Sequence, residues 1–166
     1  LKTDGSVQVW GASWLPATTD PGLTSGVTKI FSNKWAYAAL KSDGTVKAWG
    51  DQNKGGCDSG SAPECKPSGL TGVTKIFSND NAFAALKSDG SVKAWGRNNM
   101  GGNDPGLTSG VVEIASASSA FAALKSDGTV KAWGLQNGGG CDSGGTAPYG
   151  GICKPDGLTG VTKIVS

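Results

Sequence analysis

The side chains able to ligate, titrate or bond covalently are few: four cysteines and thirteen acids, with no histidine. The cysteines are Cys57, Cys65, Cys141 and Cys153. They fall in two loops with matching flanks, Cys-Asp-Ser-Gly at the start and Cys-Lys-Pro at the end. Four cysteines allow three pairings. Because each loop carries its own two, Cys57 with Cys65 and Cys141 with Cys153 is the expected pairing. The second loop is longer by four residues, which a bridge at its base tolerates. Each bridge would contribute ~2–3 kcal/mol by restricting the unfolded chain. It would also place the protein in an oxidising compartment. Reduced cysteines in an intracellular protein are the alternative. A zinc site would have to combine both loops, since there is no histidine and no Cys-x-x-Cys.

The acids offer little catalysis. Only Glu64 and Glu113 are glutamates. Asp4, Asp43, Asp89 and Asp127 each precede a glycine (Gly5, Gly44, Gly90, Gly128), and a turn explains all four. Asp58 and Asp142 follow the first cysteine of each loop; paired-carboxylate chemistry would need the two loops to meet. Calcium would find too few carboxylates there. The run Gly138-Gly139-Gly140 lacks the lysine and the helix of a phosphate loop. Without histidine the commonest general base is missing. The expectation is a protein that is no enzyme and holds no cofactor and no metal.

Lysines recur at 2, 41, 87 and 125 and again at 47, 93 and 131. With aspartates beside them, they read as solvated residues whose stems cover apolar surface, rather than as a ladder for an anionic partner. The net charge of +2 gives no basic stripe for nucleic acid. No apolar run approaches the roughly 18 residues of a membrane-spanning helix. No Asn-x-Ser/Thr sequon occurs. Thr18, Thr19 and Thr146, near prolines, are weak candidates for O-glycans.

These residues are set in a repeated frame. Residues 36–50 return almost unchanged at 82–96 and 120–134, and their second half opens the chain at 1–11. Asp-Gly between two apolar runs predicts a β-hairpin with a two-residue type I′ turn. That turn sets Leu40 opposite Lys47 and Ala38 opposite Trp49. Tyr37, Ala39, Lys41, Val46 and Ala48 then share the other face. Both faces are mainly apolar, so both must be covered. The expected fold is all-β, a tandem stack of small antiparallel sheets resembling propeller blades. Trp10, Trp49, Trp95 and Trp133 are its expected core, with small alanines leaving room for each indole. Helix signals are absent.

The Trp-Gly pairs end at Gly11, Gly50, Gly96 and Gly134, 39, 46 and 38 residues apart. Strand-like segments at 27–32, 73–78 and 111–116 precede the complete hairpins. Each unit thus offers at least three strands, with room for a fourth in the connection, and periods near 40 to 45 residues with four strands per unit are typical of propeller blades. The units also alternate in their leading sequence, their turn and their loop length, so the true repeat is a pair of about 84 residues. The domain reading is one repeat domain over 1–166: the end of a unit (1–22), a full pair (23–106) and most of a second pair (107–166). The chain reads as an excerpt of a longer polypeptide. By comparison with residues 79–85, about seven residues separate its last strand from its first hairpin segment. A strict two-unit period suits an even ring or an open array.

The unit resembles the repeats of the regulator of chromosome condensation family. The resemblance rests on Ala84-Ala85-Leu86, the Asp89-Gly90 turn, Val92 and the run Trp95-Gly96-Arg97-Asn98-Asn99-Met100-Gly101-Gly102. The last looks like that family's Trp-Gly-x-Asn-x-x-Gly signature. The runs from Trp49 and Trp133 carry Gln where Asn stands, and Trp10-Gly11-Ala12-Ser13-Trp14 departs from it. The resemblance implies a β-propeller, seven-bladed in the best-known members. It also brings to mind nucleotide exchange on a small GTPase and chromatin docking, but no residue here matches those activities. The cysteine loops are additions, and the family's second-strand histidine is missing.

Three functions compete. The first is a structural or protein-interaction module of an extracellular or cell-surface protein, its partners further copies of itself or flanking repeats, built into a filament. The second is a cytoplasmic or nuclear adaptor or exchange factor. The third is a carbohydrate-binding module using Trp14, Trp35 or Tyr149, the aromatics outside the hairpins.

Overall fold

A computed structural model describes residues 1–10, 22–56, 70–139 and 158–165. Nine strands run in chain order: β1 (Val27–Ser32), β2 (Ala36–Lys41), β3 (Val46–Gly50), β4 (Val73–Ser78), β5 (Ala82–Lys87), β6 (Val92–Gly96), β7 (Val111–Ala117), β8 (Ala120–Lys125) and β9 (Val130–Gly134). They form three separate antiparallel sheets, β1-β2-β3, β4-β5-β6 and β7-β8-β9. The fold is all-β with propeller-like blades. Single 3₁₀ turns follow each third strand, at Gln52–Lys54, Asn98–Met100 and Gln136–Gly138.

The hairpin register differs by one from the sequence expectation. Tyr37 pairs with Trp49, Ala38 with Ala48, Ala39 with Lys47 and Leu40 with Val46. Gly44 N–H donates to Lys41 O at 3.0 Å and Lys41 N–H to Thr45 O at 3.0 Å, closing a three-residue loop, Ser42-Asp43-Gly44. Only Gly44 has positive φ, at 75°, so Asp43 never takes the conformation a type I′ turn demands. The cause is a local bond: Asp43 Oδ1 accepts from the N–H and the hydroxyl of Thr45. That bond holds Asp43 as an Asx-turn residue. Asp89 with Ser91 and Asp127 with Thr129 repeat it. Asp4 accepts from the Ser6 N–H in the same way.

A shift of one residue changes which side chains share a face. Each tryptophan now lies on the side of the aromatic across from it. Tyr37 stacks on Trp49, Phe83 on Trp95 and Phe121 on Trp133, with centroids 5.4, 5.3 and 5.3 Å apart. Ala36, Ala38, Ala48, Ala82 and Ala84 lie on the opposite faces and meet the rings of the following sheet, while Ala39 and Ala85 sit beside the rings of their own sheet. Ala36, Ala38 and Ala48 enclose Phe83 and Trp95. Ala82 and Ala84 do the same for Phe121 and Trp133. Trp95 is thus flanked by small alanines of the preceding sheet as well as by Ala85 of its own.

Backbone bonds lock the units in sequence. Each turn glycine's carbonyl accepts from a valine N–H of the next unit: Gly5 from Val27, Gly44 from Val73, Gly90 from Val111 and Gly128 from Val161, each at 3.0 Å. An added Cβ on Gly90 would stand 2.7 Å from Gly110 N, so this joint requires glycine for space as well as for φ.

The first strands carry a bulge near their start, between Val27 and Lys29 and between Val73 and Lys75. There the hydroxyls of Thr28 and Thr74 donate to Leu40 O and Leu86 O at 3.0 and 3.1 Å. The third sheet has Val112 at this position, exposed to solvent. Val112→Thr should therefore stabilise the protein by ~0.5–1.5 kcal/mol by adding the bond to Leu124 O. Urea unfolding of the two proteins checks this, and an unchanged midpoint refutes it.

Candidate functional site

The cysteine pairing lies outside the described residues, as do Asp58, Asp142, Trp14 and Tyr149. Among the described residues no group of three His, Cys, Asp or Glu side chains converges as a metal site would. Two further acids, Asp51 and Asp104, have local duties. Asp51 caps the turn after β3 by accepting from Asn53 N–H at 2.9 Å. Asp104 pairs with Lys93.

The turn aspartates pair with the recurrent lysines: Lys41 with Asp43 at 3.7 Å, Lys87 with Asp89 at 3.4 Å and Lys125 with Asp127 at 3.2 Å. Bonds from the Ser91 hydroxyl and N–H hold the Asp89 carboxyl down at about 2, against an ordinary 3.8. The Thr129 hydroxyl and N–H likewise hold Asp127 at about 2. A carboxylate whose pKa falls on folding stabilises the protein above its unfolded pKa. That contribution disappears as pH drops through the folded value. The melting temperature should therefore fall from pH 4 to pH 2. An Asp89→Asn/Asp127→Asn double variant should fall less steeply over that window. Parallel curves for the two proteins would contradict this reading of the turns.

The tryptophan and glycine spacing has a packing cause. Trp95 Nε1 donates to Gly55 O at 3.2 Å, and Trp133 Nε1 to Gly101 O at 3.1 Å. Gly55 and Gly101 end the preceding unit's 3₁₀ turn at φ of 96° and 97°. A Cβ on either would reach within 2.8 Å of the next unit's phenylalanine ring. Gly102 N–H returns to Arg97 O at 2.9 Å, folding the loop back over Gly96. The motif is a socket for the next unit's aromatic pair.

Trp10 is a correction. It was expected in the core with Trp49, Trp95 and Trp133, which are buried, yet it is exposed. Among the described residues, its segment, residues 7–10, belongs to no sheet and has no aromatic stacked across from Trp10.

Among the described residues, two concavities stand out. The first is a polar groove of about 480 Å³ where the ends of β1, β4 and β7 gather, with Asn33, Lys34, Ser78, Asn79, Asp80 and Ser118 in its wall. Cross-unit bonds fix its shape: Ser78 Oγ to Ser32 O at 2.9 Å, Asp80 N–H to Ser118 O at 3.2 Å, and beside it Lys54 Nζ to Asn81 Oδ1 at 2.9 Å. Asn33 and Asn79 shape its loops. Each Oδ1 accepts two backbone N–H bonds, and each Nδ2 donates to Lys54 O or Met100 O. The sequence signal for both is that each directly follows the serine ending its first strand, Ser32 and Ser78. One cation, one carboxylate and several hydroxyls can hydrogen-bond a partner's surface. Trp35 stands exposed nearby with the Lys34 ammonium 5.5 Å over its ring. The second concavity is an apolar cleft of about 280 Å³ between residues 1–10 and the aromatic face of the first sheet.

Comparison with known proteins gives the fold a wider setting. The family described as Regulator of chromosome condensation (RCC1) repeat matches residues 73–101, which hold β4 to β6 and the turn that follows. No curated protein matches the chain. The entire ectodomain of the Physcomitrella patens receptor kinase CR4 is similar at 17% identity and a TM-score of 0.56, over 83% of this chain and 38% of that one. The CRINKLY WD40 ectodomain of the Arabidopsis thaliana receptor kinase ACR4 is similar at 20% identity and 0.52, over 80% and 51%. Yeast RCC1 (Prp20), solved bound to Kap60, is similar at 22% identity and 0.46, over 76% and 31%. The chain thus spans between about a third and a half of these structures.

Proposed function

We propose that this chain is a non-catalytic repeat module that binds protein, its partners being further copies of itself or flanking repeats, in an extracellular or cell-surface protein. The observation that carries the reading is the joint between sheets. Each unit presents an alanine face that receives the aromatic pair of the next, so one surface chemistry suffices to extend the structure. The side chains with reactive chemistry serve structure: the aspartates hold turns and the tryptophans hold joints. The matching cysteine loops support an oxidising location. The fold is also one that the two receptor-kinase ectodomains use.

The working unit in this proposal is the pair, with 23–106 one whole pair between the partial stretches 1–22 and 107–166. A two-unit period favours an open array or an even ring, and the array corresponds to an extracellular filament. Two measurements test the reading. Non-reducing peptide mapping of native material should find Cys57 joined to Cys65 and Cys141 to Cys153; free thiols at all four positions would move the protein inside the cell. Electron microscopy of the same material should show extended assemblies, and monodisperse single rings would overturn the filament. An intracellular adaptor is the second reading, supported by the repeat match over residues 73–101.

A further inference from the structure

The three units with complete sheets, 27–50, 73–96 and 111–134, are close copies, and their differences are unevenly placed. Only two aligned positions carry a different residue in every unit. The first holds Lys34, Asp80 and Ser118, and the next holds Trp35, Asn81 and Ser119. Exposure alone does not produce this divergence. Ser42, Ser88 and Ser126 are also exposed, at the other end of the second strand, and stay serine throughout. Both variable positions fall in the loop between the first and second strands of a sheet. The first of them lines the polar groove in all three units.

The backbone beneath these side chains is held alike in each unit. The carbonyls of Trp35, Asn81 and Ser119 accept from the N–H groups of Asp51, Arg97 and Leu135 at 3.0, 3.0 and 2.9 Å. The N–H groups of Trp35 and Asn81 donate to the Oδ1 atoms of Asn33 and Asn79 at 2.8 and 2.9 Å. Such loops are preorganised, so a ligand need not order them.

The chemistry of the side chains selects the ligand. Among the described residues, no side-chain bond occupies the Asp80 carboxylate or the Ser116 and Ser118 hydroxyls. Lys34 links the groove to Trp35, an indole 46% exposed, by standing 5.5 Å over its ring. A donor, an acceptor and two hydroxyls beside a flat aromatic match a polyhydroxylated ring. Its hydroxyls donate to Asp80, accept from Lys34 and do both with the serines. Its C–H face meets the electron-rich face of the indole. The groove's volume of about 480 Å³ lies within the roughly 300–1,000 Å³ of small-ligand sites. A protein anchor would need an apolar pocket, and Ala117 is the groove's one apolar side chain among the described residues. One cation against one carboxylate gives no field for a polyanion.

We propose that this groove binds a neutral oligosaccharide of hexose units, with Trp35 as the stacking platform and Lys34, Asp80 and Ser118 choosing among hydroxyl patterns. The shared frame positions the loops, and the variable residues set the specificity. The site lies apart from the joints between sheets, so it adds to the interaction-module reading without resting on it.

The probes are maltotriose, cellotriose, mannotriose and laminaritriose, each titrated calorimetrically into the 166-residue protein. At least one should bind saturably and shift the tryptophan emission to the blue. Trp35→Ala and Asp80→Asn should each weaken that binding at least about tenfold. Both side chains are exposed, so the two variants should keep the parent's melting temperature. That separates loss of the site from loss of the fold. Trp10→Ala removes an exposed indole outside the groove and should bind like the parent. No binding by any of the four sugars would overturn the proposal. So would binding that survives both groove substitutions, or a loss shared by Trp10→Ala. Binding of heparin alone, abolished by salt, would also overturn it by assigning the surface to charge. Filaments that bind no sugar would remove this site and keep the assembly. Sugar binding by a protein that forms no filaments would keep the site and remove the assembly.

Discussion

Trp95→Ala is expected to lower the unfolding free energy by about 3–5 kcal/mol, the range for a large buried aromatic cut to a methyl. Three losses combine there. The indole is 1% exposed and packs against the alanines of the preceding sheet. Its ring stacks on Phe83 at 5.3 Å. Its Nε1 also satisfies Gly55 O, which the variant would leave in the interior. Because Trp95 joins the first sheet to the second, its removal weakens an interface as well as a sheet. Trp10→Ala supplies the contrast. The same residue in the same motif lies exposed, so its loss should stay under about 1 kcal/mol. Urea denaturation of the three proteins decides the matter. A loss under ~1 kcal/mol at Trp95 would mean the sheets do not stack through their rings.

The second large effect belongs to a glycine. Gly96 ends β6 at a φ of 114°, and a Cβ there would stand 2.7 Å from both Ala82 Cα and Asn81 O. Those are backbone atoms of the neighbouring strand and cannot swing aside. Gly96→Ala therefore combines backbone strain of about 1–3 kcal/mol with overpacking of about 1–3 kcal/mol. Gly106→Ala separates the two terms, for Gly106 also has positive φ, at 68°, but nothing within 4 Å of its added Cβ. It should cost only the left-handed penalty of about 1–2 kcal/mol. Equal losses at the two positions would show that β6 does not end against the start of β5.

Most of this architecture can be read from the residues. The segments at 27–32 and 73–78 are strands with those bounds, rich in β-branched and aromatic residues and preceded by glycine. The separate sheets follow from hairpins that are apolar on both faces. Register was not legible from Asp-Gly alone. That pair is compatible with two loops, and the choice lies with the hydroxyl after it. Ser6, Thr45, Ser91 and Thr129 occupy that position in all four turns, and each donates to the aspartate. A side-chain bond two residues long thus moved every cross-strand pair by one. Trp10 was misread for a related reason. Its motif specifies a buried indole only when a second strand lies across from it, as β5 lies across from Trp95, and no described strand does so at Trp10. The polar groove was hidden because its wall comes from three units, and Asn33 and Asn79 look like ordinary loop residues until their bonds are counted.

The pairing of an aromatic face with an alanine face has a consequence for inheritance. Each unit carries both halves of the joint, one for the copy before it and one for the copy after. Duplicating a whole unit, or a whole pair, in the gene therefore inserts matched surfaces at both new junctions. Such a chain can lengthen or shorten by recombination between its own repeats without first evolving a new contact. The same arrangement constrains single substitutions. Ala38 and Ala48 are held small by rings that belong to the next unit, so a change in one repeat must be answered in its neighbour. Near-identity among the copies is what that mutual dependence preserves.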